Sequence, residues 1–200
     1  MELLLNRYPE LSVCKDDMEK ARDILIACFE KGGKLLLCGN GGSCADCDHI
    51  TGELLKGFMK KRPLPPALRQ KLQGVDPDLL QQGLPAISLP ALTALNTAFC
   101  NDVEPAHCFA QGVLALGKPG DVLLCISTSG NAKNVNAAAQ VAKALGVTVL
   151  GLTGEQGGLL KEASDCCIRV PRSQTYQVQE LHLPVYHYLC AAVESHFFPE

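Results

Sequence analysis

The sequence has no tryptophan, and aromatic residues make up only 5% of its 200 positions. So few rings leave little surface on which nucleic-acid bases could stack. An excess of positive charge is also missing: 18 Lys and Arg stand against 21 Asp and Glu, for a formal net charge of −3. That balance removes the electrostatic case for nucleic acid or an anionic membrane surface as partner. No apolar run approaches the roughly 18 uninterrupted residues that a membrane span needs. Residues 1–7 lack the basic segment and long apolar stretch of a secretory signal, so a cytoplasmic location is expected. Internal repeats and low-complexity tracts are absent as well. A chain of this length is expected to form a single domain, residues 1–200, whose core needs no staples.

Cysteine is what the chain has in excess, with 11 residues. Several lie inside apolar runs: Cys38 in KLLLC, Cys125 in VLLCIS and Cys190 in YLCAAV. Free cysteine packs there as a small hydrophobe. The odd count and these settings read as inert thiols in a reducing compartment rather than as a disulfide framework. Cys44-Ala-Asp-Cys47 has the C-x-x-C spacing of a redox pair or half a zinc site. It has no partner motif at zinc spacing, so a packing role is expected, with oxidation at either thiol impairing the neighbouring turn.

Short apolar runs alternate with helical patterns along the chain. Strands are expected at 34–38, 84–89, 121–127, 147–152 and 166–170. Helices are expected at about 16–31, 43–56, 92–98, 109–116, 132–145 and 174–198, the last with Pro184 inside it. The strands are near-continuous apolar runs, as a sheet covered on both faces requires. Strand–helix alternation gives an α/β fold, a doubly wound five-stranded parallel sheet with helices on both faces. Residues 57–83 break the pattern. They hold Lys60, Lys61, Arg62 and several prolines, and read as a long excursion with one short helix near 66–72.

Two turns follow strands where α/β sheets bind ligands, beyond the strands' carboxyl ends. The first is Gly39-Asn40-Gly41-Gly42-Ser43, the second Ser127-Thr128-Ser129-Gly130-Asn131. Glycines let backbone amides approach an anion, and a following helix start adds positive potential. With the hydroxyls, this suits a phosphate monoester. Neither turn is a dinucleotide fingerprint or a Walker A loop, which disfavours a nucleotide. Downstream of the first turn, His49 and Glu53 are spaced i,i+4 and share a helix face. Near the C-terminus, Gln179 and His187 share one broad face of the last helix. Together these are either ordinary surface and capping residues or a nitrogen-and-oxygen ligand set suited to zinc or another divalent cation.

GNGGS followed by DHxxxE, then STSGN, then QExHxxxxH resembles the sugar-isomerase (SIS) domain family, in its phosphoheptose isomerase subgroup. The resemblance covers nearly the whole chain apart from residues 57–83. It implies a flavodoxin-like three-layer sandwich that isomerises sedoheptulose 7-phosphate to glycero-manno-heptose 7-phosphate. It implies that Ser43, Ser127, Thr128 and Ser129 hold the phosphate with the amides of Gly41, Gly42 and Asn131. Asn40, Asp102 and Gln179 would contact the sugar or shape the site. Glu53 would be the base and His187 the acid. His49, Glu53, Gln179 and His187 would hold one zinc ion. It further implies a homo-oligomer, as dimer or tetramer, built on the first and last helices.

The sequence departs from that pattern in three places. Ala132 stands where a further serine is common, Ser88-Leu89-Pro90-Ala91 where an acidic residue is common, and Lys56-Gly57 where Gly-Arg is common. A cation of the excursion, Lys60 or Arg62, is the candidate replacement for that arginine. Two other functions use similar loops: a non-catalytic phosphosugar sensor or adaptor of the replication-initiator-binding type, and a lyase or etherase acting on an amino-sugar phosphate. Neither the sensor nor the adaptor needs Glu53 or His187.

Overall fold

Five largely apolar runs become five strands, with partly exposed polar residues only at strand ends, Thr148 and Arg169. In the computed structural model, which describes residues 1–199, they are β1 (Leu35–Gly39), β2 (Ala86–Ser88), β3 (Val122–Ile126), β4 (Thr148–Thr153) and β5 (Cys166–Arg169). The helices in chain order are α1 (Glu2–Arg7), α2 (Lys15–Glu30), α3 (Gly42–Leu55), α4 (Pro66–Arg69) and α5 (Thr93–Asp102). They continue with α6 (Cys108–Leu116), α7 (Lys133–Ala144), α8 (Gly158–Ala163) and α9 (Thr175–Phe197). All strand pairs are parallel, in the order β2-β1-β3-β4-β5.

The expected doubly wound α/β architecture is what the chain forms. Leu35 and Leu37 of β1, with Leu124 and Ile126 of β3, pack under α2, α3 and α9. Their neighbours Leu36, Cys38, Leu123 and Cys125 point the other way, toward α6, α7 and α8. The strict alternation of side-chain direction along a strand divides one apolar run between two cores. All eleven cysteines are free, and eight are buried. Cys38 and Cys125 are directly paired across β1 and β3, with their sulfurs 3.7 Å apart. Among the described residues no helix is long and apolar enough to cross a membrane.

Three local expectations change. The chain starts with α1 and a 3₁₀ turn, Pro9–Cys14, where no element was expected. The second strand is shorter than expected, because Leu89–Ala91 forms a 3₁₀ turn containing Pro90, which has no amide to donate to a ladder. The polar stretch after β4 contains α8, only 6 residues long. Residues 57–83 do form a long excursion, with the short α4 and a single 3₁₀ turn, Pro77–Leu79.

Candidate active site

Sheet order and register create the site's floor. β1 and β3 lie side by side, with Cys38 opposite Cys125 and Gly39 opposite Ile126. Their following turns therefore leave the same sheet edge at the same level. In this strand order, the gap between β1 and β3 is where successive connections diverge to opposite faces, opening a crevice. Gly41 has φ +55, a conformation that a residue with a side chain rarely adopts. At Gly42 a Cβ would displace the side-chain amide of Gln179, which reaches from α9 and lies against the first turn. In the second turn, Gly130 has φ +70 and packs directly on the carbonyl of Gly157.

The two turns are clasped together. Asn40 of the first and Asn134 at the start of α7 exchange two side-chain hydrogen bonds, both 2.9 Å. Ser129 Oγ accepts the Asn131 amide at 3.2 Å, and Asn131 Oδ1 accepts the Leu159 amide at 3.0 Å. These bonds hold the second turn's shape. Ser43 and Ser127 are buried and Thr128 half-buried, and among the described residues their hydroxyls make no hydrogen bond. They are donors waiting at the end of a sheet. Asp102 is exposed at the end of α5, and its carboxylate accepts from Asn101. No hydrogen bond joins Asp102 to the turns among the described residues.

Helices α3 and α9 bring the titratable residues together. His49 Nε2 is 3.2 Å from Glu53 Oε1, the contact that i,i+4 spacing allows. Glu53 Oε2 is 3.0 Å from Lys56 Nζ. The other ring nitrogen of His49, Nδ1, lies 3.0 Å from the Tyr186 hydroxyl. The His187 ring stands edge-on to the His49 ring, centroids 5.0 Å apart. Its Nε2 is buried with no hydrogen-bond partner. Burial, and then the neighbouring His49, lower the His187 pKa below the ordinary histidine value, while Glu53 opposes that shift. Tyr186 and Asp46 are both raised, chiefly by burial, which keeps their protons on more firmly.

Zinc can be tested against this geometry. The donors are right in kind: two imidazoles, a carboxylate and an amide oxygen. The unpartnered Nε2 of His187 is a buried ligand atom with nothing to bind. Yet no group of three or more His, Cys, Asp or Glu side chains among the described residues is gathered tightly enough to hold a metal. His49 and Glu53 instead hold each other.

Sequence reasoning missed four contributors. Tyr186 fixes His49, and its place next to His187 in the chain was the available signal. Asp46 lies one turn before His49 on α3. Lys56 holds the free oxygen of Glu53. The fourth, Arg62, corrects an expectation. It does not offer a charge to a substrate, because it is wholly buried and paired with Glu194. Lys60 is engaged as well, donating to the Phe198 carbonyl at 3.2 Å. Cys47 is fully buried, and burial raises its thiol well above the ordinary value, which makes it inert. Half-buried Cys44 is raised in the same direction.

A parallel sheet with two clasped glycine- and hydroxyl-bearing turns at its switch point, and a Glu53 carboxylate held by His49 and Lys56 on the helix that follows the first turn, is the layout of an α/β protein suited to sugar phosphates. Comparison with known proteins agrees. Models of the SIS domain match residues 10–76 and 93–191. The phosphoheptose isomerase of Rhodospirillum rubrum is 40% identical over 188 residues, covering 94% of this chain and 90% of that one. The solved phosphoheptose isomerase of Francisella tularensis superposes with a TM-score of 0.81 at 31% identity, covering 94% of this chain and 91% of that one. The enzyme from Neisseria gonorrhoeae gives a TM-score of 0.77 at 30% identity, with the same two coverages. The chain belongs to the SIS domain family, in the group of the phosphoheptose isomerases. It is a phosphosugar isomerase.

Proposed function

We propose that this chain converts sedoheptulose 7-phosphate to glycero-manno-heptose 7-phosphate, or acts on a close analogue, through an enediolate. The observation that carries this reading is the carboxylate of Glu53 between His49 and Lys56, with the unpartnered His187 Nε2 close by and two anion turns at the same sheet edge. The names of the relatives support a seven-carbon substrate.

Ser43, Ser127, Thr128 and Ser129, with the amides of Gly41, Gly42 and Asn131, hold the phosphate. Asn40, Asp102 and Gln179 shape the space for the sugar. Glu53 takes a proton from C1, and the C–H electrons form the C1–C2 double bond. The carbonyl electrons move onto O2, which takes a proton from His187. In the second half, O1 gives its proton back to His187, the C1 carbonyl forms, and C2 takes the proton held by Glu53. Aldose–ketose isomerisation needs a base at carbon and an acid at oxygen, and these two groups supply them. A zinc ion held by His49, Glu53, Gln179 and His187 would supply Lewis-acid stabilisation of the enediolate oxygens.

The protein incubated with sedoheptulose 7-phosphate, with and without added zinc, is expected to yield the aldose. No turnover on this or other ketose phosphates by folded protein overturns the reading. Metal analysis is expected to find about one zinc per chain, the count for a single such site.

We also propose a homo-oligomer, most simply a tetramer. Leu3, Met59 and Leu183 are exposed around an apolar hollow of about 670 Å³ between α1 and α9, beside His187. Light scattering checks the mass. The eleven free thiols support residence in a reducing cytoplasm.

A further inference from the structure

The most deeply buried charges of the molecule lie outside the site. Arg62 and Glu194 are both wholly buried, and Arg62 Nε donates to Glu194 Oε1 at 2.8 Å. Buried charges need every donor and acceptor satisfied, so which groups satisfy them tells what the pair connects. This pair has six further partners, and they lead to the two helices that carry Glu53 and His187.

On one side is the end of α3. The last four carbonyls of a helix have no partner within it. Arg62 Nη2 donates to the Glu53 carbonyl at 3.1 Å, and Nη1 to the Leu54 carbonyl at 2.7 Å. A guanidinium at a helix C-terminus also complements the helix dipole. The backbone of Glu53 itself is thus one of the groups that Arg62 holds.

On the other side is α9. Glu194 is seven residues beyond His187, about two helical turns, and so on a similar face. Besides Arg62 it accepts three consecutive amides: Phe58 at 2.8 Å on Oε1, Met59 at 2.8 Å and Lys60 at 3.2 Å on Oε2. These bonds fold the chain after α3 into a turn anchored on α9. The turn in turn sets Phe58, whose ring lies 5.4 Å from the His187 ring. Arg62 also covers the Phe198 ring, 4.8 Å from its centroid.

We propose that Arg62 and Glu194 are positioning residues for the isomerisation, a buried pair that fixes the end of the Glu53 helix relative to the His187 helix and seats Phe58 on the imidazole. This rests on the reading of Glu53 as base and His187 as acid. A buried ion pair is weak evidence for stability, since apolar replacements often serve as well. Its polar bonds give it something apolar packing lacks, a fixed direction toward the Glu53 carbonyl and the Phe58 amide. Proton transfer depends on such placement, and small displacements of reacting groups cost large factors in rate.

The test uses the full-length protein and sedoheptulose 7-phosphate as probe. Glu194→Gln is expected to lower kcat at least tenfold, with KM changed less than threefold because the phosphate turns are remote from the pair. Arg62→Lys keeps a charge opposite Glu194 but cannot reach both carbonyls, so it is expected to recover only part of the kcat lost in Arg62→Gln. Phe58→Leu leaves the pair intact and is expected to lower kcat three- to tenfold with KM changed less than threefold. Circular dichroism accompanies each variant. Unchanged kcat in folded Glu194→Gln or in Phe58→Leu overturns the proposal. If Glu194→Gln does not fold, Phe58→Leu decides alone. Glu53→Gln is measured in parallel. If it keeps full activity, the choice of base is what fails; if it is dead while Glu194→Gln and Phe58→Leu are fully active, only the positioning role fails.

Discussion

The two edges of the sheet are built from the same residue types and use them in opposite ways. At the amino edge, two aspartates bind the chain's own groups. Asp121 accepts the Lys34 amide at 3.0 Å, the Lys118 amide at 2.8 Å and the Lys34 ammonium at 2.5 Å. Asp165 accepts the Val149 amide at 2.7 Å, and Lys20 caps the Asp165 carbonyl at 2.8 Å. At the carboxyl edge, Ser43, Ser127 and Thr128 hold unanswered hydroxyls, and His187 holds an unanswered nitrogen. A buried nitrogen normally finds a partner, so the unpartnered His187 Nε2, with free hydroxyls at the same edge, marks where a ligand completes the structure. One edge is closed by its own side chains, and the other is left for a substrate to close.

The contrast can be broken by exchanging which property a mutation touches. The largest effect is expected at Glu53. Glu53→Gln should lower kcat by about a thousandfold, the usual weight of a general base, and leave the thermal midpoint nearly unchanged; steady-state kinetics beside a melting curve checks both. Asp121→Ala should do the reverse. It removes the acceptor of two partly buried amides and an ammonium, which costs about 2 kcal/mol of stability, while kcat per folded molecule stays the same in denaturant titrations followed by assay.

Acid should sharpen the same contrast. The Asp121 and Glu194 carboxyls lie below the ordinary carboxylate value despite burial, because backbone amides and a cation hold the ionised form. The folded state therefore binds these protons less readily than the unfolded chain. Their contribution to stability is complete above the ordinary carboxylate range and is lost as pH falls below it. Asp121→Asn should flatten that acid limb in melts taken between about pH 3 and pH 6, the span over which carboxylates titrate.

Smaller effects follow at the open edge. Ser127→Ala should raise KM about tenfold through one lost hydrogen bond to a charged phosphate, with little change in stability because the hydroxyl has no partner to lose. The smallest effect is expected at Ala132, the residue before α7, where no side chain caps the helix. Ala132→Ser should add about 0.5–1 kcal/mol by capping and lower KM slightly. If it changes neither, the second turn does not present that position as inferred.

The elements of the sheet were legible because each is a local pattern: an apolar run, a glycine, a cap. The same holds for GNGGS, STSGN and the His49–Glu53 spacing. What stayed hidden depends on partners far along the chain. Arg62 lies among Lys60, Lys61 and prolines and reads as a cation available to a substrate. Its buried carboxylate partner is 132 residues away. Tyr186 reads as one more apolar position of α9 until α3 brings His49 to its hydroxyl. Helices α1 and α8, each of 6 residues, are too short to show a period. Local sequence fixes elements, whereas the second layer around the site is set by tertiary neighbours.

The distribution of thiols gives this protein an internal clock for its own opening. Cys100 is exposed, Cys44 and Cys167 are partly so, and the other eight are buried. A disulfide reagent in excess should modify Cys100 at once and Cys44 and Cys167 more slowly. Of the remaining sulfurs, divided between both cores, Cys38 and Cys125 at the sheet centre are expected to react last, when β1 and β3 part. The rate of that last phase measures how often the centre of the sheet opens under native conditions, with no added label.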